Sequence, residues 1–350
     1  MFLTGQILNG QSLNDFFSDR ELSVLSRAQA FIHNAHFQEA ESLLVASRQQ
    51  LSPPSYFFLM QANYFWRYVY TKNDSFLVLT KQYGEDNLNY LKKQNDSKSL
   101  RNEFFSGAAH GYLGLAQAME NHLFSAIRHG KKGYNQLKEI YLQYPQFREA
   151  ELGLGIFEGM VAALPGVLRW MALPLGIKGN MDSALVHLKH AAGKNMITRA
   201  DAWFYAYGFL RKRNPERSDQ ILDSLVTHYP DNPLYLSLKG LSLFRHKRYQ
   251  SALTYFTRSR QKMREPFQNL DVLVESYQAR CEFKLKHYRA CIDRYLQVKA
   301  RYPQKLKKNQ LDFLYAYVAK SYRILGNAAE AQQYFARIKN KKIYDRVTEN

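Results

Sequence analysis

Histidines stand three residues apart at two places in the 350-residue sequence, a spacing that can hold a metal ion on one helix face. His33 and His36 are followed by two glutamates, but they straddle a predicted turn between helices, where capping or solvation accounts for them. His187 and His190 lie on one predicted helix with no third ligand evident. The sequence therefore predicts neither a metal site nor a cofactor.

Three glutamates, Glu149, Glu151 and Glu158, approach an apolar segment, but nothing pairs them into an acid and base couple. Sequence motifs of zinc proteases, phosphate loops, serine hydrolases and dinucleotide-binding enzymes are absent. Cys281 and Cys291 are too few for a zinc site. They could form a disulfide, although small core residues are the preferred interpretation. The sequence predicts a protein without catalysis and without an evident small-molecule substrate.

Small residues recur in the second half at intervals of 34, 34, 39 and 40, and we call them anchors. The anchors are Ala184, Ser218, Ala252, Cys291 and Ala331. Four residues later stand Leu188, Leu222, Phe256, Tyr295 and Phe335, and seven residues later stand Ala191, Leu225, Ser259, Val298 and Ile338. Twelve residues earlier stand Ala172, Ala206, Gly240, Ala279 and Ala319. This spacing predicts one helix face packed closely against a preceding helix.

Residues 181–338 therefore resemble the tetratricopeptide-repeat family. The resemblance implies an all-α fold, an α-solenoid of about eight antiparallel helical hairpins in a right-handed superhelix. It also implies a concave groove lined by the first helix of each hairpin. Two features depart from the family pattern: no repeat keeps the Trp-then-Leu-Gly opening, and Glu282 stands where an aromatic residue is usual.

The other segments are less regular. Residues 19–145 look like degenerate repeats, with Gly107, Gly111 and Gly114 predicted to permit close helix contact. Residues 1–18 form an N-terminal tail, interpreted either as the remnant of a signal peptide or as a frayed cytosolic terminus. These alternatives imply an exported and a cytoplasmic protein, respectively. Residues 339–350 form a basic C-terminal tail, expected to be solvated.

Residues 146–180 form an irregular apolar segment marked by glycine and proline. Between Gly159 and Ile177 the single charge is Arg169, so a membrane-spanning helix must be considered. Pro165 and Pro174 break the segment, and a buried wedge between hairpins is the preferred interpretation. Its Leu-Arg-Trp and Gly-x-x-Gly elements locally resemble the eukaryotic tetratricopeptide family linked to inclusion-body clearance, and its bacterial relatives.

Positive charge is concentrated in the second half of the chain. Residues 1–175 hold 16 Lys and Arg against 15 Asp and Glu, whereas residues 176–350 hold 33 against 15. An anionic partner explains this asymmetry, and so does a solvated basic surface.

The resemblance places a set of aromatic and basic residues in the groove, near the ends of successive first helices. These candidates are Trp203, Tyr207, Arg211, Arg245, Arg280, Lys284, Lys320 and Arg323. Such cations can clamp the carboxylates of an acidic or extended peptide. The helix dipole alone also favours cations at Arg211, Arg245 and Lys284, but it does not explain Arg280 and Lys320.

Binding to an anionic surface is the alternative function. A basic loop, with lysines at 305, 307 and 308, and the lysines of the tail could contact membrane lipid or nucleic acid. No nucleic-acid-binding motif supports the second of these partners.

Overall fold

The computed structural model describes residues 17–94, 99–165, 179–193, 197–267, 270–302 and 308–348. Within these residues every regular element is helical, with seventeen α-helices and one 3₁₀ turn at Arg48–Gln50. The chain divides into two compact units, Met1–Leu225 and Val226–Asn350.

The first unit is built from helices that pack as successive hairpins. Its helices are α1 (Asp19–His33), α2 (Phe37–Ala46), α3 (Pro53–Thr71), α4 (Asp74–Lys92), α5 (Leu100–Met119), α6 (Leu123–Gln143), α7 (Ala150–Ala163), α8 (Met181–Ala191) and α9 (Arg199–Leu210), and α10 (Pro215–His228) contains the unit boundary. The two helices of each hairpin from α1 to α8 pack together, and Ser218 of α10 donates to the Tyr207 carbonyl of α9. The first helices α1, α3, α5, α7 and α9 form a series in which each one contacts the next.

The second unit repeats this arrangement. Its helices are α11 (Pro233–Arg245), α12 (Tyr249–Lys262), α13 (Leu270–Lys284), α14 (Tyr288–Arg301), α15 (Lys308–Ile324), α16 (Ala328–Phe335) and α17 (Lys341–Thr348). First helices α11, α13 and α15 contact in sequence, and α17 packs on α15. The predicted all-α fold of about eight hairpins is confirmed.

Side-chain caps explain where many of these helices begin. Ser18, Ser52 and Ser99 each accept a hydrogen bond from the backbone N–H three residues later, as do Asn180 and Asn232. Proline at the first helical position follows Ser52 and Asn232. These contacts satisfy backbone donors that an α-helix leaves open at its start.

The turn inside a hairpin has a recurring backbone form, in which one residue takes a left-handed conformation. That residue is Ala35, Asn121, Lys247, Lys286 or Gly326, with φ between 60° and 85°. The N–H that follows it donates to a carbonyl five residues back, as in His36 to Phe31 and His287 to Glu282, both 2.9 Å. This is the Schellman arrangement, and it occurs both in the degenerate first repeats and in the regular last ones.

The predicted packing positions form the core. All five anchors and all ten residues four and seven places after them are buried. Of the residues twelve places earlier, Ala206, Gly240, Ala279 and Ala319 are buried, and Ala172 lies outside the described residues. Gly155 of α7 lies close to α8, since a Cβ added at Gly155 would lie 2.7 Å from Leu188. Gly240 bears the same relation to Phe256, at 2.7 Å.

The glycines between α5 and α6 allow the two backbones to touch. A Cβ added at Gly133 would lie 2.6 Å from the Gly107 carbonyl oxygen, and one at Gly114 would lie 3.0 Å from the Gly130 nitrogen. The prediction of close contact is thus correct for Gly107 and Gly114. The Gly111 backbone also approaches α6, since a Cβ added at Gly133 would lie 3.1 Å from the Gly111 nitrogen, but a Cβ added at Gly111 itself would meet no atom within 4 Å.

Replacing these glycines by alanine is therefore expected to change stability in opposite directions. Gly133→Ala should destabilise the protein by about 1–3 kcal/mol because the new methyl group meets a backbone oxygen. Gly111→Ala should stabilise it by about 0.5–1 kcal/mol because it removes backbone freedom from the unfolded chain. Thermal melting followed by circular dichroism at 222 nm measures both, and equal melting temperatures for the two variants would contradict the packing described.

The helix α9 makes contacts beyond its neighbours in sequence. The Trp66 indole of α3 donates to Asp201 Oδ1 at 3.0 Å, and its ring packs edge-on against Phe204 at 5.1 Å. His33 Nε2 of α1 lies 3.3 Å from the other oxygen of Asp201. The first unit is thus joined by contacts between its early hairpins and α9, around a buried carboxylate.

The segments predicted to be irregular are partly described. Residues 150–163 form α7, which packs between α6 and α8, whereas 166–178 lie outside the described residues. No helix in the described part of the chain has the length and apolarity needed to span a bilayer. The basic tail was expected to be solvated, but residues 341–348 form α17, and Asp312 accepts the backbone N–H groups of Lys339 and Asn340.

Candidate binding surface

The eight predicted groove residues are divided between the two units. Trp203, Tyr207 and Arg211 belong to the first unit, and the five other residues belong to the second. Trp203 is half-buried, with the Arg199 guanidinium 5.7 Å from the centre of its ring. Tyr207 is only 4% exposed, so its side chain offers little surface, whereas Arg211 is exposed at the end of α9.

The basic residues of the second unit occupy the helix ends that the repeat spacing predicts. Arg245 and Lys284 are the last residues of α11 and α13, and Arg323 is the residue before the end of α15. All three are exposed, while Lys320 is half-buried one turn earlier in α15. Cations at these positions also complement the negative ends of the helix dipoles.

Arg280 lies among aromatic rings from three successive first helices. Its guanidinium carbon is 4.6 Å from the ring centre of Tyr277, 4.8 Å from Phe313, 5.4 Å from Tyr317 and 5.9 Å from Phe244. These contacts fix a cation in position without supplying a counter-charge. Its buried Nε has no hydrogen-bond partner among the described residues. We call Arg280 and these four rings the arginine cage.

The aromatic members of the cage were not predicted from the sequence, although they follow a repeat. Phe244 packs edge-on against Tyr277 at 5.2 Å, and Phe283 packs against Tyr317 at 5.0 Å in the next repeat. The phenylalanine follows the small first-helix residue by four places, and the tyrosine precedes the next one by two. An aromatic pair repeated at these offsets was a usable signal in the sequence.

Three arginines on the second helices, Arg260, Arg294 and Arg301, are paired with buried acids of α13. Glu275 Oε1 accepts from Arg260 at 2.9 Å and from Arg301 at 2.5 Å. Glu282 accepts from Arg294 at 3.1 Å and lies 3.0 Å from His287 Nδ1. The acid that replaces the usual aromatic at position 282 is therefore an ion-pair partner within its own hairpin.

Three cations on the first helices differ from these arginines because they have no neighbouring carboxylate in the described part of the chain. In the described residues, no carboxylate oxygen lies within 4 Å of a charged nitrogen of Arg280, Lys284 or Arg323. The second unit as a whole holds 25 Lys and Arg against 10 Asp and Glu. Positive charge without a neighbouring acid is thus available along the ends of α13 and α15.

The series of exposed basic residues at the ends of the first helices does not continue into the preceding turns. Ser237, Ser276 and Ala316 share one register, one turn before the position of Arg280, and all three are buried. Ser237 donates its hydroxyl proton to the Leu234 carbonyl at 2.8 Å. At this register the first helices of the second unit therefore offer no side chain to a partner.

The clusters of possible catalytic or metal-binding type have structural partners. His33, expected at a solvated turn, is buried beside Asp201 instead. His187 and His190 each place Nδ1 beside Glu151 Oε2, at 2.7 and 2.9 Å, an arrangement that was not predicted from the sequence. Cys281 and Cys291 are buried free thiols, and burial raises their pKa values to about 12 and about 11. Both are core residues.

Two solved structures illustrate what the chain is similar to. A chain of the APC/C hetero-tetramer Cut9–Hcn1 is 14% identical, with a TM-score of 0.51 over 92% of this chain and 61% of that chain. The PilF structure from Pseudomonas aeruginosa is 17% identical, with a TM-score of 0.47 over 69% of this chain and 96% of that chain. Neither protein-family models nor curated protein sequences match the chain.

The helical pairing, the packing positions and the similarity to the Cut9–Hcn1 chain together define a class of protein. The chain has the fold of a tetratricopeptide-like helical-repeat protein.

Proposed function

We propose that the protein is a non-catalytic interaction scaffold, and that its second unit binds an acidic or extended peptide. The binding surface consists of the arginine cage with Lys284, Lys320 and Arg323. One observation carries the proposal: Arg260, Arg294 and Arg301 on second helices are paired with buried acids, whereas Arg280, Lys284 and Arg323 on first helices have no acid within 4 Å in the described part of the chain.

The chemistry of the cage suits a carboxylate. A guanidinium held against aromatic rings keeps its N–H donors and loses little conformational freedom when a ligand binds. Charge-assisted hydrogen bonds to a carboxylate are about twice as strong as neutral ones. The exposed Lys284 and Arg323 would extend the contact to further acidic side chains.

Reversing the charges of the basic residues on this binding surface should weaken peptide binding. For the double variant Arg280→Glu with Lys320→Glu, we expect an affinity at least about tenfold lower for a fluorescein-labelled octaglutamate peptide. Because Arg280 supports aromatic packing, the exposed pair Lys284→Glu with Arg323→Glu serves as a second test. Fluorescence anisotropy measures binding, and melting curves report whether each variant is folded.

A matched control separates a defined surface from general attraction. Arg289→Glu with Lys299→Glu makes the same charge change at exposed positions of second helix α14. The proposal requires this control to bind within about threefold of the unmodified protein. If the control variant lost as much peptide affinity as the binding-surface variants, and if binding weakened steeply with added salt, the attraction would be diffuse. That result would favour the alternative function, binding to an anionic membrane or nucleic-acid surface.

A further inference from the structure

An apolar cavity of about 310 Å³ lies within the first unit. It is lined mainly by α5, α6 and α7, and also by side chains of α1, α3 and α9. The wall between α5 and α6 is rich in glycine, which leaves space where other residues would place side chains. A cavity of this size lies at the lower end of the range found for small-molecule sites, roughly 300–1,000 Å³.

Two polar groups of the wall are buried without a hydrogen-bond partner. Oε1 of Glu149 and Oε1 of Gln29 have none among the described residues, and Glu149 is only 3% exposed. Two hydroxyl groups of the wall have partners, since Thr198 donates to the Ala191 carbonyl and Tyr134 donates to Glu158. A buried acceptor left unpaired is unfavourable, so a hydrogen-bond donor entering here would be stabilised.

The cavity is open on one side. Leu123 and Phe124 at the start of α6 and Met160 near the end of α7 line it and are also exposed, Phe124 to 76%. Exposed apolar side chains grouped at an opening are a common feature of ligand entrances. They would shield the alkyl part of a bound molecule from water.

We propose that this cavity binds a single-chain amphiphile whose alkyl body fills the glycine-lined wall and whose head group donates hydrogen bonds to Glu149 and Gln29. A primary alcohol or a primary amine has this chemistry. When Glu149 is ionised, a carboxylate head group does not, because its oxygens would face two acceptors. The site lies wholly within the first unit and does not depend on the peptide-binding proposal.

Displacement of an uncharged apolar dye tests the proposal on the full chain. N-phenyl-1-naphthylamine is first titrated into the protein at pH 8 and then displaced by 1-decanol, decylamine or decanoate. We expect the alcohol and the amine to displace the dye at concentrations at least about tenfold lower than decanoate, given the cost of opposing two acceptors. The alcohol and amine arms also show whether charge on the head group contributes.

Three variants connect the result to the cavity. Gly111 lines the cavity and has open space at its side-chain position, so Gly111→Phe, or the smaller Gly111→Leu, should remove dye binding while the protein stays folded. Gly208→Phe is the matched control, since Gly208 also has open space but does not line the cavity. Glu149→Leu should retain dye binding and reduce the preference over decanoate to below about threefold.

Several results would overturn the proposal. Absence of saturable dye binding to the unmodified protein would mean that the chain itself fills the cavity. Unchanged dye binding in the Gly111 variants would place the dye elsewhere. Equal displacement by decanol and decanoate would show that Glu149 and Gln29 do not select the head group.

Discussion

Glu151→Gln is expected to destabilise the protein by about 3–5 kcal/mol, the cost of breaking a buried ion pair by removing one partner. The Glu151 side chain is 0% exposed. It accepts from Arg148 at 2.6 Å, and its other oxygen lies 2.7 and 2.9 Å from Nδ1 of His187 and His190. Glutamine would keep the shape but lose the negative charge that joins α7 to α8. Chemical denaturation at neutral pH measures the loss.

Glu158→Gln is the matched control for this prediction. Glu158 lies two turns later on α7 and is also buried, but its identified donor is a neutral group, the Tyr134 hydroxyl at 2.9 Å. The expected cost is about 1 kcal/mol, as for an ordinary hydrogen bond. Equal destabilisation by the two variants would show that the charge of Glu151 is not what stabilises the hairpin.

Glu149→Gln is expected to change stability in a way that depends on pH. Burial raises the pKa of Glu149 from 4.5 to about 7, so the folded protein holds a proton that the unfolded chain has released between these values. The stabilisation from this proton is present below pH 4.5 and is lost as pH rises towards 7. Relative to the unmodified protein, the variant should gain about 2–3 kcal/mol between pH 5 and pH 8.

Melting curves at several pH values measure this gain, with Glu139→Gln as the control because that carboxylate is exposed on α6. Its curve should run parallel to that of the unmodified protein. The neighbouring Glu151 has the opposite dependence: burial alone would raise its pKa, but hydrogen bonds from His187, Arg148 and His190 lower it. Its contribution is therefore present above pH 4.5 and is lost as pH falls. For Glu149, a stability difference between Glu149→Gln and the unmodified protein that stays constant with pH would contradict the raised pKa.

The repeat architecture could be predicted because its information is local. Ala252, Phe256 and Ser259 lie on one face of one helix, and the same face recurs in each hairpin, so spacing alone identifies the core. Helix ends were predictable for the same reason, since Ser52 with its two prolines and Asn232 with Pro233 are local start signals. The repeat spacing also predicted which basic residues lie at the ends of the first helices.

Contacts between distant hairpins could not be predicted from spacing. Asp201 meets Trp66 across 135 positions of sequence, and no periodic pattern indicates which helices meet in this way. The open space at the side-chain position of Gly111 could not be predicted either, because a sequence does not show which glycines at a helix contact have room for a side chain. The pairing of Glu275 and Glu282 with second-helix arginines required the relative rotation of neighbouring helices.

The contact of Asp201 with His33 and Trp66 has a consequence for how the first unit unfolds. In a linear array each hairpin is stabilised only by its neighbours, and such an array can fray progressively from an end. Here the first two hairpins are tied to α9, so opening either of them exposes a buried carboxylate and costs contacts far along the chain. We expect the first unit to exchange its amide hydrogens as one cooperative block. In the second unit, where helices contact successive neighbours, protection should decline hairpin by hairpin towards α17.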